Sequence, residues 1–144
     1  RNMRAGTENI YGIVGFAKAL EIATANYDRE REHISGLKKY MMTELSQHIN
    51  GVSFNGDPDG CSLYTVLSVN FPKTEKSELI LFNLDINNIC ASGGSACTSG
   101  ANMSSHVIGA ISPNSDLVTV RFSFSKNNTR DEVDRVVSQL KEII

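Results

Sequence analysis

An α+β domain is what this sequence predicts: helices covering a face of a mixed or antiparallel sheet, preceded by a long helical segment. Three observations carry that expectation. Residues 62–72 and 116–125 alternate apolar and polar positions with the period of a half-buried strand. Residues 8–49 and 129–144 repeat apolar positions at helical spacing. The strands also return without the long helical crossovers of a parallel sheet.

Taken in chain order, residues 8–25 place Ile10, Ile13, Val14, Ala17, Leu20 and Ala23 at helical spacing, with Glu8 in the first turn. Asn26 is the expected break, and a second helix is predicted over 27–49, with a seam of Tyr27, Ile34, Leu37, Met41, Leu45 and Ile49. "NGDPDG" at 55–60 reads as a turn. "SLYTVLSVNFP" at 62–72 reads as a strand with Leu63, Thr65, Leu67, Val69 and Phe71 on one face, stopped by Pro72. A short helix over 76–87 starts near Ser77, and Ile89–Ala91 fits a short strand. "SSHVIGAI" at 104–111 fits a short helix before a "SPNSD" turn. In 116–125, Val118, Val120, Phe122 and Phe124 face the core, whereas Thr119, Arg121, Ser123 and Ser125 face away. Thr129 and Glu132 have capping-box spacing, and Val133, Val136, Val137, Leu140 and Ile144 line the last helix.

The 144 residues suffice for one domain with a sizeable core, and a net charge of −2 does not point to nucleic acid or an anionic membrane as partner. No apolar run approaches the roughly 20 residues that span a bilayer, so no membrane association is expected. The opening "RNMRAGTENI" has no apolar signal core. Three cysteines at irregular spacing do not suggest a disulfide framework, so a reducing, cytoplasmic compartment is expected. The chain begins on Arg1 and stops at Ile144 inside an amphipathic pattern, which reads as a fragment.

The most informative stretch is "NICASGGSACTSGAN", 88–102, where small residues surround Cys97. The thiolate is the reactive form of cysteine, and an exposed loop position gives it access to a partner. Gly93, Gly94 and Gly100 allow the backbone to swing, while Ser92, Ser95, Thr98 and Ser99 keep it soluble. A polar surface loop with an incidental cysteine remains an open reading of the spacing. A phosphate loop does not fit, because no Gly-Lys-Ser/Thr end follows. A nucleophile elbow fails because Cys97 stands where its second glycine belongs. A zinc site from Cys90, Cys97 and His106 lacks paired spacing and a fourth ligand, so no metal is expected. His33, His48 and His106 lie on predicted helices and read as surface or packing residues, against a Cys–His enzyme. Cys90 reads as a small core residue and Cys61 as a turn residue. Arg121 is a lone cation on the polar face of an apolar strand. It is either solvated or a fork for a carboxylate, and spacing does not choose.

"RNMRAGTENIYGIVGFAKALE", "SGGSACTSG", "SSHVIGAI" and "VRFSFSKNNTRDEVD" occur in an order and spacing that extend over essentially the whole chain. With them the sequence resembles the C-terminal part of a cysteine desulfurase, the NifS-like branch of the class V pyridoxal-phosphate-dependent aminotransferases. The resemblance implies that residues 1–25 are the tail of a large cofactor-binding domain and 26–144 the small C-terminal domain carrying the cysteine loop. It implies conversion of L-cysteine to L-alanine, with sulfur parked as a persulfide on Cys97 and passed to an acceptor or scaffold protein, for iron–sulfur clusters or thio-nucleotides. Arg121 matches the residue that holds the substrate α-carboxylate. Thr7 matches the threonine that reaches the cofactor phosphate of the neighbouring subunit in a homodimer. Gly93, where related loops often carry serine or alanine, is a mild variation.

The family's Schiff-base lysine lies in an upstream His-Lys motif, and no His-Lys pair occurs here. Lys18, Lys38, Lys39, Lys73, Lys76, Lys126 and Lys141 have no matching context. The resemblance therefore implies that pyridoxal phosphate belongs to the full-length enzyme and that this chain alone is inactive. Two other readings stand beside it: another class V enzyme, such as a selenocysteine lyase, in which Cys97 is dispensable, and a non-catalytic module that docks sulfur acceptors.

Overall fold

The computed structural model describes residues 5–74, 76–93, 106–111 and 117–144. It divides into two compact units, Arg1–Glu32 and His33–Ile144, with one long helix, α1 (Ile10–His48), running through both. The break expected at Asn26 does not occur. Asn26 satisfies itself within the helix: its Nδ2 donates to the Ile22 carbonyl at 2.8 Å and its Oδ1 accepts from Arg29 at 2.7 Å. An asparagine whose amide bonds back along the turn has no need of a non-helical backbone partner.

In the first unit α1 starts at a capping bond, Gly12 N–H to Asn9 Oδ1 at 3.1 Å, which satisfies one of the orphan amides of the first turn. A further local bond is the Lys18–Glu21 pair at 2.8 Å. The apolar residues Ile10, Ile13, Val14, Phe16 and Leu20 are all exposed.

The second unit holds the core. The remaining strands and helices are β1 (Ser53–Phe54), β2 (Val66–Pro72), α2 (Ile80–Ile86, entered through a 3-10 turn at Ser77–Leu79), α3 (His106–Ile111), β3 (Leu117–Ser123) and α4 (Arg130–Ile143). The sheet order is β1-β2-β3, antiparallel throughout, with Ser68 opposite Arg121 and Asn70 opposite Thr119. Leu67, Val69 and Phe71 of β2 and Val120 and Phe122 of β3 point to one face. They join Ile34, Leu37, Met41 and Leu45 of α1, Ile80 and Leu84 of α2, and Val133, Val137 and Leu140 of α4 in a single cluster. Each such side chain contributes about 1.5–3 kcal/mol by leaving water.

Two expectations about β2 and its neighbours need correction. The strand begins at Val66, not Ser62, and Leu63 is exposed. The cause is Lys38, a buried lysine in the middle of α1, whose Nζ donates to Ser62 Oγ at 2.9 Å and to the Leu63 carbonyl at 3.2 Å, holding 62–63 in a bend. Burial pushes the Lys38 ammonium below its ordinary 10.5, partly opposed by nearby Asp59. Residues 89–91, expected as a strand, form none; the described chain next to them makes a bridge from Ser92 to Arg121. The short edge strand β1 has no alternating pattern and carries no signal of its own in the sequence.

α4 is capped as its spacing predicts. Thr129 Oγ1 accepts from Glu132 N–H at 3.3 Å, and Glu132 Oε2 accepts from Thr129 N–H at 2.9 Å. Bonds from Asn128 and Thr129 hold the Glu132 carboxyl below its ordinary value. Tyr40 of α1 donates to Asp134 at 2.6 Å, which raises its phenol above the ordinary range, while Arg130 lies 4.3 Å from its ring centre. In α3, residues 106–111 are helical as expected, whereas 104 and 105 and the turn at 112–116 lie outside the described residues.

Candidate functional site: the polar face of the sheet

Alternation sends the apolar residues of β2 and β3 to the core, so the opposite face must carry what lies between them. That face holds Ser68 and Asn70 on β2 and Thr119 and Arg121 on β3, with Asn55 just beyond β1. The buried Asn70 exchanges a reciprocal pair of amide bonds with Asn55, both 2.8 Å, and its Oδ1 also accepts from Thr119 Oγ1 at 2.6 Å. Asn55 Nδ2 donates further to Ser68 Oγ at 3.0 Å. Among the described residues, no buried side-chain nitrogen or oxygen lacks a partner. A satisfied network of this kind fixes side chains in one arrangement rather than merely tolerating them.

Arg121 extends from this face beside the network and is exposed. Ser68 flanks it on β2 and Ser92 on the other side. Ser92 and Arg121 exchange both backbone bonds, Ser92 N–H to Arg121 O at 3.1 Å and Arg121 N–H to Ser92 O at 2.6 Å. The Arg121 Nε–H donates to Ser92 Oγ at 3.2 Å. Among the described residues no carboxylate pairs with Arg121, and none of them is hydrogen-bonded to its two terminal amino groups. The arrangement presents a cation with two parallel N–H donors, which suits a carboxylate.

What brings Ser92 there is a backbone turn at the end of α2. Asn88 takes φ 57°, the Ile89 N–H reaches back to Leu84 O at 2.9 Å, and the Asn88 N–H reaches Asp85 O at 2.9 Å. This paired pattern closes a helix with a left-handed residue and an apolar contact, here between the buried Leu84 and Ile89. Arg135 of α4 ties down the same corner by donating to Asn87 O at 2.7 Å. With Ile89 in the core, the extended chain turns Cys90 outward. Cys90 is exposed, which corrects its expected place in the core; Cys61 is exposed in its bend. At Gly93 an added Cβ would lie 2.6 Å from Leu81 Cδ1, the movable end of a side chain, so serine or alanine needs only a small shift there.

Of the expected site residues, Arg121 and Thr7 are among those described. Thr7 is exposed in the first unit, directly after Gly6 at φ 99°. Cys97 lies outside the described residues. His33 is exposed, with Nε2 3.0 Å from Asn128 O, and His48 lies 3.4 Å from Glu44. The part played by Ser92 is not visible in its spacing, because its partner is 29 residues away. No helix among the described residues is long and apolar enough to cross a membrane.

Residues 1–136 match the family model for class V aminotransferases. The chain belongs to the class V aminotransferase family. Within this family it is 35% identical, over 99% of its length, to a cysteine desulfurase IscS of Dictyoglomus turgidum, of which it covers 36%. It is 36% identical over its full length to a putative cysteine desulfurase IscS 1 of Bacillus subtilis, of which it covers 38%. A NifS-like protein from Rickettsia africae has a similar fold, with a TM-score of 0.74 at 24% identity over 97% of this chain and 36% of that one. A second solved NifS-like protein gives the same TM-score at 29% identity, over 99% of this chain and 36% of that one. The chain thus spans little more than a third of the length of these relatives, and its helices and antiparallel sheet are those of a class V aminotransferase portion.

Proposed function

We propose that this class V chain is the C-terminal part of a pyridoxal-phosphate-dependent cysteine desulfurase that converts L-cysteine to L-alanine. The observation that carries the proposal is Arg121, an exposed cation on an ordered polar face whose terminal amino groups hydrogen-bond to no described residue. It would grip the substrate α-carboxylate through two parallel hydrogen bonds. The relatives named as cysteine desulfurases support the choice of L-cysteine as substrate.

The donors present fit the cofactor at one corner. Thr7 offers an exposed hydroxyl and a backbone N–H close ahead of the first turn of α1, where an anion is favoured, so it suits a phosphate oxygen of a neighbouring subunit. Bound pyridoxal phosphate would supply a sink for the electrons released at the substrate carbon. The Cys97 thiolate would form a bond to the substrate sulfur as the carbon–sulfur bond breaks. The electron pair stays with the carbon, which takes up a proton, and the sulfur leaves as a persulfide on Cys97. An acceptor or scaffold protein would then receive it. On this reading residues 1–25 complete a large domain, 26–144 form the small one, the enzyme is a cytoplasmic homodimer, and the lysine that holds the cofactor lies outside this chain.

The test is a Cys97→Ser variant of the full-length protein. Loss of alanine formation with retained cofactor absorbance supports the proposal, and unchanged turnover rejects it in favour of a class V enzyme that does not use the thiol.

A further inference from the structure

We propose that Ser92 is a positioning residue for Arg121 that selects an end-on grip on the substrate carboxylate. The proposal rests on the carboxylate-binding reading of Arg121. A guanidinium can hold a carboxylate with its two terminal amino groups or side-on, with Nε and one amino group. In this structure Nε is already engaged, donating to Ser92 Oγ at 3.2 Å. The end-on pair is therefore the fork left for a ligand.

The backbone makes this engagement more than a chance contact. Ser92 and Arg121 exchange both N–H···O bonds, at 3.1 and 2.6 Å, the pattern of a hydrogen-bonded antiparallel pair. Such pairing puts the two side chains next to each other on one face of the sheet. A hydroxyl one bond from Cβ then meets the guanidinium part-way along its length. The approach of the chain to this point is set by the turn at Asn88 and the buried Ile89, and Gly93 lets it pass close to Leu81.

The two backbone bonds would form with any residue other than proline at 92. The hydroxyl is thus dispensable for the local fold, and among the described residues Arg121 Nε is its one partner. Its effect falls on the orientation of a long, exposed side chain that would otherwise sample many rotamers. Pre-orientation lowers the cost of binding the carboxylate and does not touch the reacting sulfur or carbon.

The test uses the full-length enzyme with L-cysteine, reading KM, kcat and inhibition by L-alanine. Ser92→Ala should raise KM and the L-alanine inhibition constant about tenfold and leave kcat within about twofold, the pattern of a lost uniform binding interaction. Ser92→Thr keeps the hydroxyl on a residue suited to extended backbone and should restore both constants to within about threefold of the parent. Unchanged constants in Ser92→Ala overturn the proposal, as does a fall in kcat with loss of cofactor absorbance that Ser92→Thr fails to restore. Arg121→Lys separates the two levels. If it raises KM while Ser92→Ala does not, the carboxylate reading stands and the positioning role fails; if Arg121→Lys leaves KM unchanged, the carboxylate reading itself fails.

Discussion

Leu20 and Leu45 lie on the same helix, in stretches of the same apolar spacing, yet Leu20 is 57% exposed and Leu45 is fully buried. The difference does not lie in local propensity. From Ile34 onward α1 meets the apolar face of a sheet and the seam of α4. Before Glu32 its large apolar residues are exposed, and the helix carries the Asn9 cap, the Lys18–Glu21 pair and the side-chain bonds of Thr24 and Asn26. Periodicity says which residues would gain from burial. It does not say what buries them.

Paired substitutions, followed by chemical denaturation, test that contrast. The largest effect is expected in the core: Leu140→Ala should cost about 2–5 kcal/mol, since the fully buried side chain leaves a cavity. Leu20→Ala should cost under about 0.5 kcal/mol as an exposed change. Equal costs would break the comparison by showing that the first stretch is packed. Next come two lysines. Lys38→Ala strips a donor from Ser62 and Leu63 and should cost about 1–2 kcal/mol. Lys18→Ala removes an exposed pair and should change stability by no more than about 0.5 kcal/mol.

The caps differ less. Thr129→Ala removes half of a capping box and should cost about 1 kcal/mol, with Asn9→Ala, at an exposed helix end, nearer about 0.5 kcal/mol. The smallest effect is in pH dependence, and it separates two groups on the buried stretch of α1. Lys38 has its folded value depressed below 10.5, so the folded chain loses that proton first and the unfolded chain binds more protons. Stability should rise with pH in the window below 10.5. Tyr40 has its folded value raised above 10.0, so its contribution is full below pH 10.0 and is lost as pH rises through the folded value. Lys38→Met should remove the rise and Tyr40→Phe the fall when unfolding is measured across alkaline pH.

Local signals read well from the sequence and relational ones did not. The alternation of Val118, Val120, Phe122 and Phe124 needs no distant knowledge, and neither does the three-residue step from Thr129 to Glu132. The burial of Lys38 depends on a bend 24 residues away, which no periodicity in α1 encodes. Asn26 fits a helix break equally as well as a helix interior until its amide is seen to bond Ile22. Asn88 is a good left-handed residue, but an asparagine beside another asparagine does not announce which of them turns. At the site, the pattern of β3 singled out Arg121 as outward-facing, while the Asn55–Asn70–Thr119 network and the Ser92 contact arise only when three segments meet. The roles proposed for Thr7 and Cys97 rest on family resemblance.

The sheet's two margins carry a consequence for the solution behaviour of the chain. On one side β1 is only two residues long, and on the other the Arg121 amide and carbonyl are already taken by Ser92. A passing extended polypeptide therefore finds the middle of the β3 edge occupied at Arg121 and, at β1, a template only two residues long. Recruitment into larger β assemblies is blunted by geometry at both borders, without a proline or a row of lysines to repel the newcomer.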